Sequence, residues 1–228
     1  MTAHNAIASA LFSPQAELAA ILLPFAFSTA EAHVAPVKSD GSHDLSHLQR
    51  VWKNVCAIQA QEGGALDVLL AATLLHDCVQ VEKNSPLRAQ ASRLSGERAA
   101  GILRELDWSQ SKVEATAHAI AAHSFSAAVN AETLEARILQ DADRLDAIGM
   151  VGAARCFYTA GRMGSALYDP ADPLARSREL DDRRFALDHF FTKLLTLSDG
   201  FKTSAGAALA SKRQQRLQRF VDDMLEEI

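Results

Sequence analysis

The segment ALDVLLAATLLHD, residues 65–77, constrains the fold of this chain more than any other. As a helix it would be apolar on nearly every side, and a helix of that kind is buried at the centre of a core. Other helices must then pack around it and cover its surface. The segment ends in the doublet His76-Asp77, and a charged pair at the end of a buried helix needs a partner such as a metal ion. We therefore predict a central helix with a functional group at its end.

Helical periodicity dominates the rest of the sequence, whereas the alternation typical of strands is almost absent. Apolar residues recur every three to four positions from Leu45 to Ile58, which predicts an amphipathic helix over residues 44–61. The pair Gly63-Gly64 follows directly and is a common signal for the end of a helix. The pattern as a whole predicts an all-α fold.

The boundaries of the other predicted elements follow from helix breakers and caps. Pro24 is expected to kink or end a core helix over residues 17–27. Ser111 and Glu114 have the spacing of a capping box at the start of another helix. The remaining predictions are polar loops at 83–92 and 161–182, helices that end near Leu106 and His123, one helix from about Ala131 through Ala160, and two last helices at 183–198 and 204–227.

The length and composition suit one substantial soluble domain. The chain has 228 residues, of which 48% are apolar and 22% charged. We predict that residues 15–228 form one compact helical domain and that residues 1–14 are a disordered N-terminal extension. The net charge of −5 argues against a partner that is a nucleic-acid polymer, because such binders normally carry a basic balance.

The cysteines and the apolar N-terminal run indicate the compartment. Three dispersed cysteines without a CxxC pair favour a reducing cytoplasm over a disulfide framework or a thiolate zinc site. The apolar run 17–27 contains Glu17 and Pro24 and is too short to span a bilayer. We therefore predict a cytoplasmic protein with no membrane partner.

Two imidazoles and two carboxylates are the candidate metal ligands. They are His47, His76, Asp77 and Asp143, which lie on three predicted helices that could converge on one divalent ion. Neutral imidazole and carboxylate are better suited to Mn²⁺, Fe²⁺, Co²⁺, Ni²⁺ or Mg²⁺ than to a closed structural zinc site. Four protein ligands on an octahedral ion leave positions for water and substrate, which is what metal-activated hydrolysis needs.

The ordered pattern of these residues resembles the HD-domain superfamily of metal-dependent phosphohydrolases. The resemblance runs from about Asp40 to the C-terminus, and it extends to one bacterial branch of small proteins, some of which act on nucleoside triphosphates. It implies His47, His76, Asp77 and Asp143 as the ligands of one divalent ion. The segments that carry it are SHDLSHLQRV, LLHDC, KNSPLRAQAS, HAIAAHSFSA, LQDADRLDAIG and RRFALDHFFTKLL.

Neighbouring acidic residues have competing interpretations. Asp44 stands before the apolar period and is favoured as an N-cap, with contact to substrate by His43-Asp44 as the alternative. Asp143 matches the last ligand of the superfamily, whereas Asp146 is expected to support it from the next turn. Asp141 and Asp146 are also compatible with a solvated acidic face or with pairing to Arg144.

The resemblance and the loop positions also suggest residues for catalysis and substrate binding. Asp77 is expected to orient the attacking water, and Arg50 and Lys83 to assist by binding phosphate. Arg88, on the same loop as Lys83, would complete the phosphate clamp; ordinary surface charge, or a helix salt bridge for Arg50, is the alternative. The remaining candidates for substrate binding are His123, His118 and Lys193, with a core histidine and a surface helix pair as the alternatives for the last two.

The predicted function is metal-dependent hydrolysis of a small phosphorylated molecule, and a nucleotide is the favoured substrate. Within this class, release of pyrophosphate from nucleoside triphosphates is favoured, with one Mn²⁺ as the preferred ion and Mg²⁺, Co²⁺, Ni²⁺ or Fe²⁺ as compatible ones. The alternatives are a 5′-nucleotidase acting on monophosphates, an HD-type oxygenase with two irons, and a non-catalytic sensor of metal or nucleotide. The ordered ligand set argues against the sensor, and the oxygenase would need more ligands than this set provides.

Overall fold

The structure, a computed structural model, describes residues 3–26, 44–79, 81, 88–124 and 127–228, with the backbone alone at residues 3, 4 and 88. These residues contain ten α-helices, and within them the one strand-like pairing is an isolated parallel bridge between Ala166 and Phe185. The prediction of an all-α fold is confirmed. Contacts within the chain define two compact units, Met1–Asp143 and Arg144–Ile228; the single domain over residues 15–228 stays a prediction.

The helices are numbered in chain order, and the division between the units falls near the end of α7. They are α1 (Ala3–Leu11), α2 (Ala16–Ala26), α3 (Leu45–Glu62), α4 (Leu66–Leu75), α5 (Ala91–Glu105), α6 (Gln110–His123), α7 (Leu134–Asp146), α8 (Gly149–Met163), α9 (Ala186–Thr192) and α10 (Ser204–Glu226).

Helix α4 is the centre of the first unit, as its sequence predicts. Every side chain from Val68 to Leu75 is buried, and α2, α3, α5 and α6 pack against this helix. Its apolar surface is therefore covered on several sides. The polar doublet His76-Asp77 comes directly after its last turn, where His76 is buried and Asp77 stays partly exposed.

Helix α3 begins at the predicted cap. The Asp44 side chain accepts hydrogen bonds from the backbone N–H groups of Ser46 at 2.9 Å and His47 at 3.2 Å, which confirms Asp44 as the N-cap. Partial burial opposes ionisation of Asp44, but hydrogen bonds from the Ser46 hydroxyl and from both backbone groups hold its pKa below the ordinary value. The cap fixes the first turn of α3, in which His47 lies.

The N-terminal segment is helical in the structure, although we expected a disordered extension there. Helix α1 packs against α2, and Ala8 and Phe12 are completely buried. This burial depends on contacts with α2 that the local sequence does not reveal. Pro24 lies inside α2. No single helix among the described residues is long and apolar enough to cross a membrane; Asn5–Leu11 and Ala16–Ala26 meet that test only as a pair, bent by 116°.

The predicted capping box at the start of α6 is wrong. The N-cap residue is Ser109, and its side chain makes no cap hydrogen bond. Glu114 instead accepts a hydrogen bond from the Gln110 side chain at 2.7 Å. Gln110 and Glu114 are one helical turn apart, so their side chains meet on the helix surface. The Glu114 carboxylate is thus paired with Gln110 and does not accept from the backbone at the helix start, as a capping box would require.

The single helix predicted from Ala131 through Ala160 is also wrong, because α7 and α8 are separate. Gly149, the first residue of α8, has a φ of +73°, a conformation that glycine adopts readily. A Cβ at Gly152 would lie 2.3 Å from the carbonyl oxygen of Ala147. The tight connection between the helices therefore depends on two glycines that a helical pattern alone would accommodate.

An ion pair anchors the long loop of the second unit, which follows α8. Arg178 binds the completely buried Asp188 of α9 through two nitrogens, at 2.5 and 2.9 Å. The guanidinium also lies over the Phe185 ring, 4.6 Å from its centroid. Helix α9 is shorter than predicted, and a 3₁₀ turn follows it at Leu194–Thr196. The loop is thus fixed to the helix that packs with α8 and α10 around Leu187, Phe190 and Leu217.

Two glycines of α5 provide a test of helix packing. A Cβ at Gly96 would lie 2.8 Å from the backbone carbonyl of Ala117 on α6, whereas nothing lies within 4 Å of a Cβ at Gly101. We expect Gly96→Ala to lower the free energy of unfolding by about 2 kcal/mol through overpacking. Gly101→Ala should raise it by roughly 0.5–1 kcal/mol through helix propensity. Urea unfolding of both variants measures this, and equal effects would contradict the close approach of α5 and α6.

The ion pair of Asp188 predicts a dependence of stability on pH. Burial opposes ionisation of Asp188, but hydrogen bonds from Arg178 and the Asp181 backbone lower its pKa below 3.8. Its contribution is therefore complete above pH 3.8 and is lost as the pH falls through the lower, folded-state pKa. We expect Asp188→Asn to destabilise the protein at pH 7 and to approach the wild type at the acid end. Urea midpoints measured across this range test the prediction, and a pH-independent difference would refute it.

Candidate metal centre

Side chains from four helical segments of the first unit meet at the end of α4. His47 comes from the first turn of α3, His76 from the end of α4, His123 from the last residue of α6 and Asp143 from α7. The three imidazoles are buried, with exposed fractions of 2%, 0% and 8% in that order. Three imidazoles that are buried side by side need hydrogen-bonding or metal partners.

His47, His76 and Asp143 form the first group of ligand atoms. The Nε2 atoms of His47 and His76 lie 3.2 Å apart. The Oδ1 atom of Asp143 lies 3.6 Å from Nε2 of His47 and 3.9 Å from Nε2 of His76. One ligand atom from each residue is thus within 4.8 Å of the other two.

Asp77 connects this first group to His123. Its Oδ2 atom lies 3.4 Å from Nε2 of His76, and its Oδ1 atom lies 3.8 Å from Nε2 of His123. The rings of His76 and His123 meet edge to face, with centroids 4.9 Å apart. Asp77 therefore lies between two imidazoles and presents one oxygen to each.

Backbone carbonyls fix the orientation of two of the imidazoles. The Nδ1 atom of His76 lies 2.8 Å from the Thr73 carbonyl, and that of His123 lies 2.6 Å from the Ile120 carbonyl. Because a carbonyl can only accept, both Nδ1 atoms carry the proton and both neutral rings present a lone pair at Nε2. Burial, and then the nearby His76, lower the pKa of His123, which favours its neutral form.

The donor set fits a divalent cation. Neighbouring donors on an octahedral ion with bonds of about 2.1 Å are about 3 Å apart, close to the separation of the two Nε2 atoms of His47 and His76. A backbone acceptor on the other ring nitrogen is also the usual support of a metal-binding histidine. His76 belongs to both possible groups of ligands. Since its one Nε2 lone pair binds one cation, the geometry favours a single centre.

The two carboxylates are the part of the cluster that solvent reaches. The side chains of Asp77 and Asp143 are 39% and 30% exposed, whereas the imidazoles are buried. The centre is therefore dry on its histidine side and open on its carboxylate side. A molecule in solution would reach the cluster from the open side.

The structure brings together all four predicted ligands and places His123 beside them. Arg50 lies near the N-cap of α3, where it donates to the Ser46 hydroxyl at 2.8 Å. His118 accepts a hydrogen bond from the backbone of Glu132 at 3.1 Å. Lys193 belongs to the second unit and is exposed at the end of α9. Lys83 and the side chain of Arg88 lie outside the described residues.

The competing aspartates of α7 are both buried. Asp141 is 1% exposed, and so is Asp146. Asp146 accepts a hydrogen bond from Arg155 of α8 at 2.7 Å. The solvated acidic face considered for these two residues is therefore wrong, because neither side chain is available to water. The carbonyls of Thr73 and Ile120 were not predicted, and a backbone group leaves no signal in a sequence.

Comparisons with known proteins identify the family. The HD domain family matches residues 44–148. The Bacillus subtilis protein YpgQ is 31% identical over 191 residues, which cover 82% of this chain and 84% of YpgQ. The chain belongs to the HD-domain superfamily of metal-dependent phosphohydrolases, and domains of this family bind divalent metals.

Solved structures of relatives have the same fold. An HD-superfamily hydrolase from Bacillus thuringiensis is 28% identical, with a TM-score of 0.68 over 93% of this chain and 97% of that chain. The crystal structure of Bacillus subtilis YpgQ in complex with ADP is also 28% identical, with a TM-score of 0.68 over 91% of this chain and 96% of that chain.

Metal affinity tests the cluster directly. We expect Asp143→Asn to weaken binding of Mn²⁺ by more than about 100-fold, since it replaces a charged ligand with a neutral group of the same shape. His118→Ala is the control, because His118 contacts a backbone group outside the cluster. Calorimetric titration of the metal-free proteins measures both affinities. Undiminished affinity in Asp143→Asn would contradict this ligand assignment.

Proposed function

We propose that this protein uses one divalent cation to hydrolyse nucleotides, and that it releases pyrophosphate from nucleoside triphosphates. The observation that carries the proposal is the cluster of buried imidazoles with two solvent-accessible carboxylates, Asp77 and Asp143. Membership of a hydrolase superfamily supports the reaction type. The ADP complex of YpgQ supports a nucleotide as the substrate. The triphosphate preference is the finer part and follows from resemblance to the branch described above.

His47, His76, Asp77 and Asp143 would hold the cation. Their mixture of nitrogen and oxygen donors is compatible with Mn²⁺, which we propose as the preferred ion. A bound divalent cation supplies a water of lowered pKa and neutralises charge on the transferring phosphoryl group. The residues around it must then orient the water and the phosphates.

Asp77 and His123 are suited to orient the attacking water. Asp77 presents Oδ1 towards His123, and a carboxylate accepts hydrogen bonds from water. With its Nδ1 proton donated to Ile120, neutral His123 presents Nε2 only as an acceptor. An ionised phosphate oxygen offers no proton to such a group, whereas a water molecule does. We propose that His123 binds the water rather than the phosphate.

Cations of the chain would bind the phosphates. We propose this role for Arg50, Lys83 and Arg88, whose charges suit more than one phosphate group. Arg50 lies in the same helix as His47, and its guanidinium is already held near the helix start by Ser46. His118 and Lys193 stay predictions for substrate contact.

A panel assay tests the reaction. Metal-stripped protein is reloaded separately with Mn²⁺, Co²⁺, Ni²⁺ or Mg²⁺ and given nucleoside mono-, di- and triphosphates with ribose or deoxyribose. The products are separated to distinguish phosphate from pyrophosphate, and Asp77→Ala serves as the inactive control. We expect pyrophosphate from triphosphates, with Mn²⁺ giving the fastest turnover. Phosphate from monophosphates alone would favour the nucleotidase, and no turnover of any nucleotide would refute the proposed substrate class.

The role of His123 has a separate test. We expect His123→Gln to lower kcat by roughly 100-fold, because a general acid–base or water-positioning group contributes on this scale. Affinity for Mn²⁺ should change little, since the four other residues hold the cation. A loss of metal affinity as large as that in Asp143→Asn would show instead that His123 is a ligand.

A further inference from the structure

Two buried carboxamides connect helices that carry residues of the cluster. We infer that Asn54 and Gln140 are positioning residues for the metal centre, each fixing the backbone next to a residue of the cluster. The inference rests on the proposed binding of a cation by that cluster, but not on which substrate is hydrolysed.

Asn54 joins α3 to α7 beside Asp143. It lies on the buried face of α3, two helical turns after His47, and is 4% exposed. Its Nδ2 atom donates to the carbonyl of Ala142 at 2.9 Å. Ala142 immediately precedes Asp143, so this hydrogen bond ties the backbone of one ligand to the helix that carries another. The 3.6 Å separation of His47 and Asp143 depends on how α7 is positioned along α3, which this hydrogen bond fixes.

Gln140 joins α7 to α6 beside His123. It lies one turn before Asp143, on the same side of α7, and is 8% exposed. Its Nε2 atom donates to the carbonyl of Ala122 at 2.7 Å. Ala122 immediately precedes His123. The same arrangement therefore occurs twice: a buried carboxamide donates to the carbonyl directly before a residue of the cluster.

Carboxamides are a costly choice for these positions if packing were their only purpose. A buried amide must recover the free energy of its lost hydration through hydrogen bonds, whereas an apolar side chain of similar size needs none. Leu at position 54 and Met at position 140 would therefore fill the same space without this cost. A donor of fixed direction adds a constraint on the partner helix, and metal affinity is sensitive to such supporting contacts by roughly 10–100-fold.

Gln59 provides a matched control on the same helix as Asn54. Its Nε2 atom also donates to a backbone carbonyl, that of Gly64, at 3.2 Å. Gly64 adjoins no residue of the cluster. Removing this donor therefore tests the loss of a carboxamide-to-carbonyl bond without disturbing the backbone of a ligand.

The experiment compares Asn54→Leu, Gln140→Met and Gln59→Met in the full-length chain. Calorimetric titration of Mn²⁺ into metal-free protein gives the affinity, and urea unfolding of the metal-free protein gives the stability. We expect Asn54→Leu and Gln140→Met to bind Mn²⁺ about 10–100-fold more weakly than the wild type, and Gln59→Met to bind it normally. Gln140→Met should act on the ligand Asp143 rather than through His123, because the bond from Gln140 to α6 also holds α7, which carries Asp143 one turn further on, against that helix. Asn54→Ser, which has a shorter side chain, replaces Asn54→Leu if that variant does not fold.

The possible results separate the proposals. Unchanged Mn²⁺ affinity in folded Asn54 and Gln140 variants would overturn the positioning role, even if their stability falls. Equal weakening in Gln59→Met would also overturn it, because the effect would then be general. Failure of the wild type to bind any divalent cation would refute the metal centre together with this inference. Metal binding without nucleotide turnover would refute only the proposed function and leave the affinity comparison decisive.

Discussion

The burial of His76 at the end of the most apolar helix is the constraint on which the site depends. Its ring is completely buried, so both nitrogens need partners. The Thr73 carbonyl, from the preceding turn of the same chain segment, satisfies Nδ1. The other nitrogen, Nε2, lies near the adjacent Asp77 and near side chains from neighbouring helices. The packing around α4 accordingly does more than bury apolar surface, because it brings His47 and Asp143 close to His76 and places His123 beside Asp77.

Local chemistry explains what the sequence predicted correctly. The central helix was evident because ALDVLLAATLLHD has no polar face, and Asp44 was evident as a cap because it immediately precedes an apolar period. The family resemblance selected Asp143 as a ligand, which stays a prediction; composition alone would not have separated it from Asp141 and Asp146. The structure places this residue near His47 and His76. All these inferences concern residues whose role is set by neighbours along the chain or by a known motif.

The features that were missed depend on contacts distant in sequence. The break between α7 and α8 requires a close approach of Gly152 to the Ala147 carbonyl, which a helical pattern does not display. The association of His123 with Asp77 depends on where α6 ends relative to α4. Asn54 did leave a signal, since it is a polar residue within the apolar face of α3. That signal identifies a buried hydrogen bond but not its partner.

The contrast between the dry and the open side of the centre has an evolutionary consequence. A substitution at a buried histidine would disturb the packing around α4 and the proposed binding of a cation together. The residues around Asp77 and Asp143, on the solvent-exposed side, have one main requirement: they must let a substrate reach the centre. Evolution can therefore change which molecules reach the centre through substitutions around these two carboxylates, while the buried histidine side stays intact.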